Sequence, residues 1–164
     1  RVLGLGYPGG PKLEQLALAG DPERYPFQSP FNAGPGLDMS FSGVKTAVVN
    51  LLHNARQKGE TPSPADLAAG FQRSVVETLS SKAVASARNM GSQKLALAGG
   101  VAANKALRTR MELDARAAGL EFYCPRLEYC TDNAAMIACG GYYELMSGHL
   151  SGLNLNAAAR LSLA

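Results

Sequence analysis

In the stretch LALAGGVAANKALR, residues 95–108, an apolar run too short to stand alone as a helix meets two glycines and then a helical pattern. Short length and flanking breakers favour a buried strand over 94–98. The segment that follows puts Ala103, Leu107, Met111 and Ala115 on one helical face over 102–118 and ends at Gly119, a suitable residue just past a helix end. LEFYCP, residues 120–125, predicts a second short strand ended by Pro125. A helix joining two strands makes them parallel neighbours with a right-handed crossover. TDNAAMIACGGYYELMSG then predicts a further helix, capped by Thr131 or Asp132 and stopped by Gly148. Residues 92–148 thus read as strand, helix, strand, helix.

Residues 11–91 read as mostly helical. Pro11 opens a short helix carrying Leu13, Leu16 and Ala17, with Gly20 closing it. Four prolines within 21–37 predict an ordered loop. Phe41, Val44, Val48, Leu51 and Leu52 mark a second helix, with Ser42 as candidate cap and Gly59 as stop. Ser63 and Pro64 start the longest helix, whose face shows Leu67, Phe71, Val75, Leu79 and Ala83 until Gly91. The fold class is α/β and helix-rich, with about five helices and a short parallel sheet, treated as one unit over residues 1–164. A chain of this size with 46% hydrophobic and 18% charged residues can build a core, which excludes disorder throughout.

The net charge of +3 permits an acidic partner without requiring one. Lys105, Arg108 and Arg116 form a basic row that either faces RNA or is a solvated helix face. Cys124, Cys130 and Cys139 lack CxxC spacing and read as small buried hydrophobes in a reducing, cytoplasmic setting. No apolar run reaches the roughly 20 residues a membrane helix needs. His53 and His149 each stand alone, as surface or core residues.

The first amides of a helix are unpaired and carry partial positive charge, so a phosphate can bind where Gly99 and Gly100 let it approach. Close packing of helix on strand also calls for glycine, and the two readings stand level. Asn104, placed one turn into the helix, either contacts a ribose or acyl group held there or serves as a capping or solvated asparagine. Asp132 either caps the last helix or offers a carboxylate to a metal. Gly99, Gly100 and Asp132 all follow strand ends, where parallel sheets bind ligands, so they are expected to share one crevice. Gly10, in YPGGP, approaches a ligand or forms the turn into the first helix. Ser42 and Lys45 in FSGVKT meet phosphate, or merely cap and lie along the surface.

YPGGP (7–11), FSGVKT (41–46), LALAGGVAANKALR (95–108) and YCTDNAAMIACGG (129–141), in this order, resemble the carboxy-terminal half of the TsaD family. That family comprises the tRNA threonylcarbamoyladenosine transferases, formerly called O-sialoglycoprotein endopeptidases. The resemblance covers essentially the whole chain. It implies part of an actin-like, RNase H-like ATPase fold, with LALAGGVAAN similar to the adenosine-binding motif of that superfamily. The implied reaction moves a threonylcarbamoyl group from threonylcarbamoyl-AMP to the adenosine 3′ of the anticodon in tRNA. Gly10, Asn104, Gly99 and Gly100 are implied as nucleotide contacts. Asp132 is implied as a ligand of one divalent metal ion, iron or zinc.

The family's segments ahead of YPGGP, including an HxxxH histidine pair and an SGGHT-like stretch, lie outside this sequence. On that reading the start at Arg1 is a cut, and the chain alone is expected to be inactive and metal-free. A two-strand sheet would expose edges and an apolar face that a homodimer or a companion chain covers. Partner proteins of the threonylcarbamoyladenosine complex are implied as well. Two other readings stay open: a metallo-glycopeptidase, or a non-catalytic assembly module of that complex.

Overall fold

Ser63 and Pro64 begin the element that organises the rest. The Ser63 hydroxyl accepts a hydrogen bond from the Asp66 N–H at 3.3 Å, and Pro64 occupies a position whose N–H would have no partner in any case. The computed structural model describes residues 2–27, 34 and 36–158. Among them, in chain order, are α1 (Gly9–Ala17), α2 (Ser42–Gln57), α3 (Pro64–Asn89), β1 (Lys94–Ala96), α4 (Lys105–Ala117), β2 (Glu121–Tyr123) and α5 (Ala134–Met146). Short 3-10 turns over Gly100–Ala103 and Leu127–Tyr129 lead from the strands towards α4 and α5. The helix-rich α/β class with a short parallel sheet is borne out. The expected loop over 21–37 falls partly outside the described residues, at 28–33 and 35.

Helix α3 is the spine, packing against α1, α2, α4 and β1. Its first half meets α2 through Leu67, Val44, Val48 and Phe27, and meets α1 through Ala68, Ala69 and Ala17. Its second half closes over α4 and the sheet through Val76, Leu107 and Met111, then Ala87, Ala115 and Leu120. The expected stripe of one residue in four is only half right. At 3.6 residues per turn such a stripe drifts by ~40° every four residues, so Phe71, Val75, Leu79 and Ala83 are half-buried and Val76, Ser80 and Lys82 are the buried residues there.

The strands pair in parallel, with Leu95 opposite Phe122, and the Leu97 N–H extends the ladder to the Tyr123 carbonyl at 2.9 Å. The expectation of a buried strand over 94–98 is corrected. Leu95, Leu97 and Phe122 face α3 and α4, whereas Lys94, Ala96, Ala98, Glu121 and Tyr123 are exposed, because no second layer covers that face among the described residues. Helix α5 is similarly bare: none of its residues is buried, and Ile137, Tyr143 and Met146 are each about two-thirds exposed.

Several helix starts differ from expectation by one or two positions. Helix α1 begins at Gly9, so Pro11 is its third residue, where its missing N–H still costs no helical bond. Ser42 is the first residue of α2 and does not cap it; Phe41 holds the cap position without a side-chain bond. Only Cys130 of the three cysteines is buried, since Cys139 lies on the bare helix α5 and Cys124 is half-buried. Both histidines are exposed. Of the predicted stops, Gly59, Gly91, Gly119 and Gly148 have positive φ, as a left-handed helix terminus requires, whereas Gly20 does not and lies three residues past the end of α1 at Ala17.

Ser80, fully buried, joins α3 to α4 by donating to Asp114 Oδ2 at 2.6 Å, and Arg110 Nε donates to the same oxygen at 2.8 Å. Burial pushes the Asp114 carboxyl up, but these hydrogen bonds and the Arg110 charge outweigh it and hold the group below its ordinary value. A depressed folded pKa stabilises above the unfolded value and is lost as pH falls through the folded one. Ser80→Ala should therefore cost about 1–2 kcal/mol near neutral pH. In urea titrations the deficit should shrink as pH falls through the folded-state pKa of Asp114, which lies below the ordinary 3.8, because the carboxyl is then protonated in both states.

Candidate functional site

Gly99 has φ 86° and ψ 177°, a backbone conformation essentially reserved for glycine, and it turns the chain sharply after β1. Gly100 has no such constraint. A Cβ at either glycine would meet nothing within 4 Å. Close packing against the described residues therefore does not account for the pair, and the backbone conformation calls for glycine at Gly99 alone. Gly10, in the first turn of α1, is equally unobstructed.

The chain does not run directly into α4. The 3-10 turn over Gly100–Ala103 intervenes, and Asn104 sits at the cap of α4 and not one turn inside it. The reason is its side chain: Oδ1 accepts from the Leu107 N–H at 2.9 Å, which ends the tight turn and starts the α-helix. Asn104 Nδ2 donates to Gln72 Oε1 of α3 at 2.9 Å, fixing the amide plane. Glu14 of α1 accepts from the Lys105 N–H at 2.7 Å. Side chains thus occupy two of the first amides of α4, which the sequence alone leaves open to a phosphate.

Gly10, Gly100 and Asn104 line one cavity of about 370 Å³, walled by Pro11, Leu13, Phe71, Val75, Val76 and Leu107, with Glu14 and Gln72 as further polar groups. Apolar walls with a few converging polar groups suit a small ligand with a flat base. Gly99 and Asp132 are outside its lining, which corrects the expectation that Gly99, Gly100 and Asp132 share a crevice. A larger cavity of about 670 Å³ lies beside α2 and residues 59–67 and contains none of the candidates. Lys45 lines a third, apolar cavity of about 530 Å³ that also touches Gly10. Sequence reasoning missed Glu14, Phe71 and Gln72. Their helical spacing looks like ordinary amphipathic patterning, and only the packing of α1 and α3 brings them to the turn.

Asp132 is exposed and does not cap α5. Asn133, in extended conformation, does so, with Oδ1 accepting from the Met136 N–H at 2.9 Å and Nδ2 donating to the Thr131 carbonyl at 2.8 Å. No group of three His, Cys, Asp or Glu residues able to hold a metal occurs among the described residues. One carboxylate falls short of the three protein ligands usual in a catalytic site, so the residues present do not by themselves fit the iron or zinc ion that the resemblance implies. The basic row is also corrected. Lys105 and Arg116 are solvated, but Arg108 turns inward and donates to Ala102 O, Pro125 O and Cys130 Sγ. Burial pushes the Cys124 thiol pKa up, partly offset by the Arg108 charge. No described helix is long and apolar enough to cross a membrane.

Comparison with known proteins matches the family model described as TsaD, tRNA N6-adenosine threonylcarbamoyltransferase, over residues 1–139. A protein of that name from Moorella thermoacetica is 47% identical over 163 residues, which is 99% of this chain and 48% of the relative. Its namesake from Desulfitobacterium hafniense is 46% identical over 164 residues, 100% of this chain and 48% of the relative. The chain spans about half the length of the curated relatives it matches. Among solved structures, T. kodakarensis HypF shares the fold with a TM-score of 0.59 and 26% identity, over 89% of this chain and 18% of that one. Four ordered motifs, a family match over most of the chain and relatives aligned over nearly all of this chain agree, and the chain belongs to the TsaD, tRNA N6-adenosine threonylcarbamoyltransferase, family.

Proposed function

We propose that this chain supplies the adenylate-binding part of a threonylcarbamoyltransferase that acts on tRNA. The observation that carries the reading is the convergence of Gly10, Gly100 and Asn104 on one apolar cavity beside an unobstructed glycine turn. The base of threonylcarbamoyl-AMP stacks between apolar walls that include Phe71. Its phosphate lies against the backbone at Gly99 and Gly100, where amide dipoles favour negative charge.

In the transfer, the exocyclic amine of the tRNA adenosine attacks the carbamoyl carbon. A carbon–nitrogen bond forms, the carbon–oxygen bond of the mixed anhydride breaks, and AMP leaves with the electron pair while the amine loses a proton. Backbone donors at the turn stabilise the charge that develops on the departing phosphate. Asn104, held by Gln72, orients the ribose or the acyl group. Asp132 would offer one carboxylate ligand to a metal ion, whose further ligands the described residues do not supply.

A full-length protein carrying this chain, incubated with tRNA and threonylcarbamoyl-AMP, should yield threonylcarbamoyladenosine by mass spectrometry of the digested tRNA. Asn104→Ser keeps an oxygen able to cap α4 but removes the amide donor, and should lower kcat/KM about tenfold, the size of one lost neutral hydrogen bond at the strong end of its range. Unmodified tRNA with the parent protein, or full activity in Asn104→Ser with Asn104→Ala equally active, overturns the assignment.

A further inference from the structure

Arg108 lies one turn into α4, and its planar fork reaches both loops that leave the carboxyl ends of the strands. Nε donates to the Ala102 carbonyl, in the turn after the double glycine, at 2.5 Å. Nη2 donates to the Pro125 carbonyl, in the loop after β2, at 2.7 Å, and contacts Cys130 Sγ at 2.9 Å. Cys130 is 3% exposed and two residues ahead of Asp132. Arg108 is half-buried and takes part in no ion pair among the described residues. A half-buried cation without a carboxylate is poorly compensated, and its two carbonyl bonds to separate loops hold it where it is.

We propose that Arg108 is the positioning residue that sets the adenylate turn at Gly99–Gly100 against the loop that presents Asp132. The inference rests on the proposed function for its catalytic meaning, but the linkage itself is physical. The two loops are separate in sequence and share no strand pairing. A guanidinium can bond both at fixed geometry, whereas a lysine ammonium is a point donor on a flexible stem and cannot reproduce the fork. Arg108 is not a lining residue of the cavity, and the partners of its guanidinium, Ala102, Pro125 and Cys130, are not either, so its substitution should separate binding from chemistry.

The test compares Arg108→Lys and Arg108→Met with the parent in a full-length protein carrying this chain. Three readouts are taken: AMP affinity by calorimetry, kcat for tRNA modification, and amide hydrogen exchange. Expected for Arg108→Lys is AMP affinity within about twofold, kcat down about tenfold, and faster exchange at both 99–104 and 125–132; misplacing a reacting group by about 1 Å can cost ~100-fold. Arg108→Met should show the same split, with a larger fall in kcat. Parent-like kcat in Arg108→Lys overturns the proposal. So does a parallel loss of AMP affinity, kcat and melting temperature, which is what a residue serving only the fold would give. If the parent protein modifies no tRNA, the proposed function fails, and hydrogen exchange then decides the linkage alone: faster exchange at only one segment, or neither, overturns it.

Discussion

Gly70→Ala should destabilise the chain by about 3 kcal/mol, read as a lower urea midpoint with unchanged slope. Gly70 is buried inside α3 where the Tyr25 carbonyl comes down onto the helix. A Cβ there would overlap that carbonyl oxygen and lie 3.1 Å from its carbon and 3.4 Å from Phe27 Cδ2. Backbone cannot rotate aside as a side chain can, so Phe27 and its neighbours Leu67 and Val44 must shift together. The better helix propensity of alanine returns only about 1 kcal/mol. Gly140→Ala is the matched control, because a Cβ on that α5 glycine meets nothing within 4 Å and only the propensity gain remains. Opposite signs for the same change are expected, and a mild effect at Gly70 would show that the close approach of residue 25 to α3 is wrong.

That contrast marks what the amino-acid sequence made legible. Helices were readable because their signals are local: Ser63–Pro64 starts α3, and Gly59, Gly91, Gly119 and Gly148 end four helices in left-handed conformation. The parallel pairing of β1 with β2 followed from chain order alone. Burial was less legible, because an apolar strand or helix says what could be covered, not whether a cover is present. Ala96, Ala98 and all of α5 look like core in the sequence yet are exposed among the described residues.

The site divides along the same line. The glycine turn and the importance of Asn104 were visible in LALAGGVAANKALR, whereas the partners Gln72 and Glu14 are 32 and 91 residues distant from Asn104 and Lys105 respectively. Arg108 looked like part of a solvated row because helical spacing gives direction around an axis but not length of reach. Its side chain spans to Pro125 and Cys130 across the crossover, a contact set by tertiary packing. At α5 the capping role fell to Asn133 and not to Thr131 or Asp132, a one-residue difference that changes the meaning of the aspartate.

On the proposed role of Asp132 as a metal ligand, Asp132→Ala should leave the melting temperature unchanged and reduce tRNA modification roughly 100-fold or more in a full-length protein carrying this chain, since even outer-shell partners of a metal cost ~10- to 100-fold. In the sequence, Asp132 reads either as a cap or as a metal ligand, and a cap lost to alanine costs about 1 kcal/mol. Asn133 takes that role through its bond to Met136, leaving the Asp132 carboxylate exposed with no hydrogen bond to the helix it precedes. Asn133→Ala should accordingly lower stability by about 1 kcal/mol and spare most of the activity, the reverse of Asp132→Ala. Thermal melts and tRNA modification measured on both variants separate the two roles: equal destabilisation would return Asp132 to the cap, and full activity without Asp132 would remove it from the site.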